Sequence, residues 1–173
     1  MRILIYARAF LPRVGGLESI AHALAMEFAR LGHEIVVVTT TSGRDDERLC
    51  YRVVRNPSVR LFLHWMRWCD LFLHLNVSLR GLWPLLIVQR PWVVAHHSWY
   101  RRSDGQIAWQ DRLKRYALRY AAGSIAVSKA IAGDLERPST VINSCFREDL
   151  FRILPNIERA RDLVFVGRLV SDK

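Results

Sequence analysis

At 173 residues, with 51% apolar and 10% aromatic residues, the chain has one domain's length and enough apolar surface for a sizeable core, which excludes disorder as a description of the whole. A formal charge of +10, from 26 Lys and Arg against 16 Asp and Glu, makes phosphate-bearing ligands, anionic lipid and nucleic acid the partner surfaces to weigh, without choosing among them. No apolar run approaches the ~18 residues of a spanning helix, Arg8 interrupts the opening apolar stretch, and Cys50, Cys69 and Cys145 show no C-x-x-C spacing. An integral membrane protein, a secretory signal, a zinc site and a disulfide framework are therefore not expected, and the expected location is cytoplasmic.

Arg2-Ile-Leu-Ile-Tyr-Ala7 is a short apolar run ended by a loop carrying Pro12, Gly15 and Gly16, and reads as a strand buried on both faces. A helix is expected from Leu17 to Leu31: Ile20, Leu24, Phe28 and Leu31 recur at i, i+4, i+8 and i+11, Glu18 sits in the first turn, and Gly32 follows the end. Glu34 to Thr40 is a second, β-branched run, and strand, helix, strand in this span is a βαβ unit with parallel strands. Tyr51–Arg55, Asp70–Asn76, Pro91–His96, Ser124–Ser128 and Ser139–Ile142 read as further strands, with helices between most of them, the clearest from Gln106 to Ala121. The expected fold is an open, Rossmann-like α/β sheet with helices on both faces over residues 1–155. After a polar connector, Leu163–Leu169 reads as the opening strand of another domain, so 156–173 is expected to be a linker and first strand.

Three places could carry chemistry. Gly15 and Gly16 fall between the carboxyl end of the first strand and a helix N-terminus, where bare backbone can approach a phosphate or sugar; they lack the spacing of a dinucleotide fingerprint and the lysine of a Walker loop, and a turn needing positive φ is the plainer reading. His96 and His97 end a strand, so their rings should face opposite sides and at most one can enter a cleft; the plainer reading is a hydrogen-bonded structural histidine. Ser128 and the Asn143-Ser-Cys-Phe loop could bind a hydroxyl-rich ligand, although Ser128 reads better as a helix cap.

Taken in order, these segments resemble the retaining glycosyltransferases of family 4, two-domain enzymes of the GT-B fold. Pro12-x-x-Gly15-Gly16-x-Glu18 is similar to that family's acceptor-side glycine loop, Leu31-Gly-His-Glu-Ile-Val-Val-Val-Thr39 to its second strand, and Val94-Ala-His-His-Ser98 to the strand ending in its active-site histidine. Ile125-Ala-Val-Ser128, Val141-Ile-Asn143 with Asp149-Leu-Phe151, and Phe165-Val-Gly-Arg-Leu169 with Lys173 follow in the family's order. The resemblance implies sugar transfer with retention from a nucleotide-sugar to a sugar, lipid or glycan acceptor hydroxyl. It makes His97 the cleft histidine with His96 in reserve, places Gly15 and Gly16 beside donor diphosphate and acceptor, puts Glu18, Ser128 and Asn143 on the acceptor side, and gives Arg168 and Lys173 to the leaving diphosphate in place of a metal. The family's E-x7-E motif would lie beyond Lys173, so this chain alone is expected to transfer no sugar. A non-catalytic module binding a phosphosugar or anionic lipid is the alternative.

Two segments bear on membranes. A helix from Gln106 to Ala121 would gather Trp109, Leu113, Tyr116 and Tyr120 on one face and Arg112, Arg115 and Arg119 on a neighbouring stripe. A helix from Val59 to Cys69 would set Trp65 and Trp68 among its apolar residues, opposite Arg60, His64 and Arg67. Taken singly, each reads as a core helix with a solvated stripe; together, at +10, they suggest peripheral binding to the anionic inner face of a membrane. No recognition motif supports nucleic acid.

Overall fold

Seven strands, all parallel, form one sheet in the order β3-β2-β1-β4-β5-β6-β7 in the computed structural model, which describes residues 1–44, 49–100, 108–135 and 137–145. They are β1 (Arg2–Tyr6), β2 (Glu34–Thr39), β3 (Arg52–Arg55), β4 (Leu71–Leu75), β5 (Trp92–His96), β6 (Gly123–Ala126) and β7 (Thr140–Val141). The expected linker and strand over 156–173, with Arg168 and Lys173, lies outside the described residues.

Alternation along the strands divides the core in two. Leu4, Tyr6, Val36, Val38, Phe72 and Val94 face α2 (Val59–Trp68), with α3 (Leu79–Leu82), a following 3-10 turn (Trp83–Leu86) and α4 (Trp109–Leu118) on the same side. Ile3, Ile5, Ile35, Val37, Leu73 and Ala95 face Ala21 and Ala25 of α1 (Gly16–Arg30). Parallel strands covered on both faces have no solvent side, which is why β1 and β2 read as continuous apolar runs instead of alternating ones. A sixth helix-like segment, α5 (Lys129–Asp134), begins at Ser128, whose hydroxyl accepts from the Ile131 N–H at 3.2 Å. Ser128 is therefore a cap.

The two segments read as membrane candidates part company here. Phe62, Trp65 and Met66 of α2 are buried against the sheet, with Trp68 packed partly buried beside them, so neither tryptophan belongs to an exposed membrane-facing surface. In α4 the reverse holds: Trp109 (70% exposed), Tyr116 (52%) and Tyr120 (68%) stand in solvent with Leu113, while Leu118 and Ala121 enter the core. On the inward side, Arg115 meets Asp134 of α5 at 3.0 Å, with side chains only 10% and 2% exposed, beside the buried Leu118, and the aromatic stripe lies on the opposite, outward side. Arg115 is thereby withdrawn from the basic surface, leaving Arg112 and Arg119 exposed, Arg119 over the Tyr116 ring.

Candidate functional site

Strand order reverses between β1 and β4: chain segments leave β1 toward β2 and β3 on one side, and β4 toward β5 on the other. Loops from their carboxyl ends consequently diverge, and open α/β sheets bind ligands in the crevice this makes. Here the crevice is a cleft of about 480 Å³ lined by Arg8 after β1, Leu17 in the first turn of α1, Asn76, Ser78 and Arg80 after β4, and Lys114 of α4.

Its first wall is braced from the β2 side. The Arg8 carbonyl accepts from the Thr39 and Thr40 hydroxyls at 3.3 and 2.8 Å, the Phe10 N–H donates to Thr41 Oγ1 at 3.0 Å, and the Arg55 guanidinium donates to the Leu11 and Thr41 carbonyls at 2.7 and 3.1 Å. The loop then enters α1 at Gly15. Neither Gly15, an extended N-cap at φ −177°, nor Gly16 needs positive φ; among the described glycines that conformation belongs to Gly32. The turn reading therefore falls: at Gly15 a Cβ would meet only the Glu18 carboxylate, the end of a flexible side chain, and open space adjoins Gly16. Glu18, expected on the acceptor side, thus folds back over the start of its own helix and supplies negative charge at the N-terminus.

The second wall is a three-residue turn. Asn76 adopts φ 58°, a left-handed conformation that Asn tolerates. Its N–H donates to the Ala95 carbonyl at 2.9 Å, and its Oδ1 accepts from the His97 N–H at 2.7 Å. Val77 follows, its N–H donating to the Tyr100 hydroxyl at 3.1 Å. Gly81 lets α3 sit directly on the sheet, since a Cβ there would come within 2.5 Å of the Tyr6 ring and 2.6 Å of His74 Nε2.

The adjacent histidines separate as strand alternation requires. His97, half-buried just past β5, has both ring nitrogens buried and without a hydrogen-bond partner among the described residues, and burial lowers its pKa, so it is a neutral imidazole at pH 7. It adjoins the cleft through Asn76 without lining it. His96 is fully buried in a relay and is not placed to touch a ligand. The Tyr100 hydroxyl, accepting from Val77, donates to His96 Nδ1 at 2.7 Å; Nε2–H donates to Ser124 Oγ at 3.1 Å; and Ser124 passes to Ser139 at 2.6 Å, which donates to the Arg137 carbonyl at 3.3 Å. The backbone N–H at one end and the carbonyl at the other set every donor direction in between, and burial brings the His96 pKa down to about 4. His74 is likewise buried, packed against Tyr6, Phe72 and Trp92, with its pKa lowered to about 4 by burial and Nδ1 bonded to the Asn76 carbonyl.

The cleft thus gathers Asn76, Arg8, Arg80 and Lys114, which the sequence reading did not select. Arg8 drew notice only for interrupting an apolar run, although a cation immediately after the first strand of an open sheet is a legible signal. Asn143 is exposed beyond β7, away from any described contact with the cleft. Among the described residues no group of three or more His, Cys, Asp and Glu is gathered as a metal site, and no helix is long and apolar enough to cross a membrane.

Comparison with known proteins agrees with this frame. The sequence profile of the family described as Glycosyltransferase Family 4 matches residues 14–143. No curated protein sequence matches the chain. Among solved structures, Anabaena Alr3699/HepE, in complex with UDP and glucose, superposes with a TM-score of 0.64 at 19% identity over 88% of this chain and 47% of its own. Acinetobacter baumannii MurG superposes with a TM-score of 0.53 at 10% identity over 82% of this chain and 44% of its own. The chain spans about half the length of these structures.

Proposed function

Because the chain belongs to glycosyltransferase family 4, we propose that it forms the acceptor-side half of a GT-B sugar-transfer site, moving a sugar with retention from a nucleotide-sugar to an acceptor hydroxyl. The observation that carries this reading is the cleft at the strand-order reversal with His97 held beside it by Asn76. The UDP and glucose bound to HepE support a nucleotide-sugar donor.

In this reading His97 meets the sugar. A neutral imidazole with unengaged nitrogens can accept from one hydroxyl and donate to another, and the bond from its own N–H to Asn76 fixes where the ring starts. Gly16 leaves backbone open to the ligand. Charge on the leaving diphosphate is met by Arg168 and Lys173 rather than by a metal. The exposed aromatic stripe of α4, flanked by Arg112 and Arg119, favours docking of the protein on the inner face of an anionic membrane, where an acceptor carried on lipid would be presented.

Titrating the 173-residue chain with sugars, UDP-sugars and GDP-sugars while following the His97 ring by NMR tests the reading. Sugar-dependent shifts at His97 and Asn76, weak nucleotide-sugar binding and no turnover are the expected results. A silent His97 ring would remove it from the site, and tight donor binding or turnover by this chain alone would refute the division into two halves.

A further inference from the structure

The cleft has a charge that sugar binding does not require. Arg8, Arg80 and Lys114 line it, and no Asp or Glu does so among the described residues. Lys114 is already committed to Asp111 at 2.7 Å. Arg8 and Arg80 make no side-chain hydrogen bond or ion pair with any described residue, so two guanidinium groups from opposite walls face one solvent-filled space uncompensated.

Both are launched from fixed backbone. Four contacts across β2 hold the Arg8 segment: hydroxyl bonds from Thr39 and Thr40, the Ala7 N–H on the Val38 carbonyl, and the Thr40 N–H on Arg8. Arg80 precedes Gly81, whose missing Cβ seats α3 on Tyr6 and His74. The fixed backbone sets where each side chain begins; the exposed guanidinium groups still lose rotamer freedom on binding, and their planar forks match phosphate oxygens two at a time. The N-terminus of α1, the other natural anion site nearby, is served by Glu18. A second groove of about 300 Å³, lined by Asn56, Tyr6, Phe62 and Trp83 among others, shares Arg80 with the cleft.

We infer that Arg8 and Arg80 together bind a phosphate ester carried by the acceptor, so that the acceptor class is a phosphosugar or a sugar on a phosphate-bearing carrier. The inference rests on the sugar-transfer reading for the word acceptor; the phosphate site itself does not depend on turnover. A donor diphosphate offers the same chemistry, and the experiment separates the two sources.

The chain is titrated with glucose 6-phosphate, with glucose and with UDP, reading the Asn76, Val77 and Ser78 amide resonances and the Kd of each probe. Glucose 6-phosphate should shift these amides and bind at least about tenfold more tightly than glucose. Arg8→Gln and Arg80→Gln, both at exposed positions, should each weaken it about tenfold, the loss of one charge-assisted bond pair, while Lys114→Gln changes it less than about threefold. UDP affinity should be unchanged in both arginine variants. Glucose 6-phosphate binding that ignores both substitutions, or is absent in the wild-type chain, overturns the site. Equal losses for UDP and glucose 6-phosphate assign the pair to the donor and overturn its acceptor role. A His97 ring that stays silent on titration with sugars while the phosphate site survives would instead count against the transferase reading alone.

Discussion

Replacing Tyr100 by phenylalanine removes one oxygen from a buried relay and should unlock the wall of the cleft. The hydroxyl makes two bonds, accepting from Val77 N–H at 3.1 Å and donating to His96 Nδ1 at 2.7 Å, and burial raises its pKa to about 12, so it stays protonated. Tyr100→Phe forfeits both, at about 1 kcal/mol net each, and leaves a buried N–H and a buried imidazole nitrogen without partners, so the total cost is on the order of 2–4 kcal/mol. Equilibrium urea unfolding reads that loss, and hydrogen exchange locates it: the Val77 amide should lose protection while the β2 amide of Val37 changes only by the global amount. Substitution of His96 provides the directional control. His96→Asn can present an amide oxygen to the Tyr100 hydroxyl at the Nδ1 position and should retain most Val77 protection, whereas His96→Gln places its amide toward Ser124 and should not. A stability loss under about 0.5 kcal/mol with unchanged Val77 exchange would refute the relay.

Other consequences are equally direct. His74 and His96 are neutral in the folded state with pKa values of about 4 against an unfolded value near 6.5, so the unfolded chain binds more protons between those limits; stability is full above about pH 6.5 and falls toward pH 4 by up to about 1.4 kcal/mol per pH unit per histidine, and a urea midpoint that stays flat from pH 7.5 to 4.5 would contradict their burial. Gly81→Ala should cost about 1–3 kcal/mol by pushing α3 off Tyr6 and His74, seen as a lowered Tm, with Gly133→Ala, where no neighbour lies within 4 Å, as the tolerated comparison. Vesicles containing anionic lipid should bind the chain and release it at high salt; Arg112→Gln with Arg119→Gln, or Trp109→Ser, should weaken cosedimentation several-fold, and binding indifferent to lipid charge would refute docking through α4.

Local pattern was enough for much of this protein. Continuous apolar runs separated by one amphipathic helix specify parallel strands buried on both faces, because a parallel connection needs a crossover and the crossover covers the sheet; β1, α1 and β2 therefore fell within a residue or two of expectation. Period-two alternation also required that His96 and His97 separate, since adjacent residues on a strand cannot share a face. What surrounds each was settled by residues outside the strand: Ser124 and Tyr100 enclose one ring, and Asn76 holds the backbone of the other. Helical spacing showed an aromatic stripe on α4 and apolar residues around α2 but left their rotation open, because a helix buries whichever side its neighbours reward. For α2 the sheet took Trp65; for α4 the inward side went to Leu118 and to Arg115 paired with Asp134, nineteen residues away, and Trp109 and Tyr116 lie outward. The cleft is tertiary in the same sense. Arg8 and Arg80 are remote in sequence and meet because β1 and β4 lie side by side where the strand order reverses, a pairing that no local signal in either segment encodes.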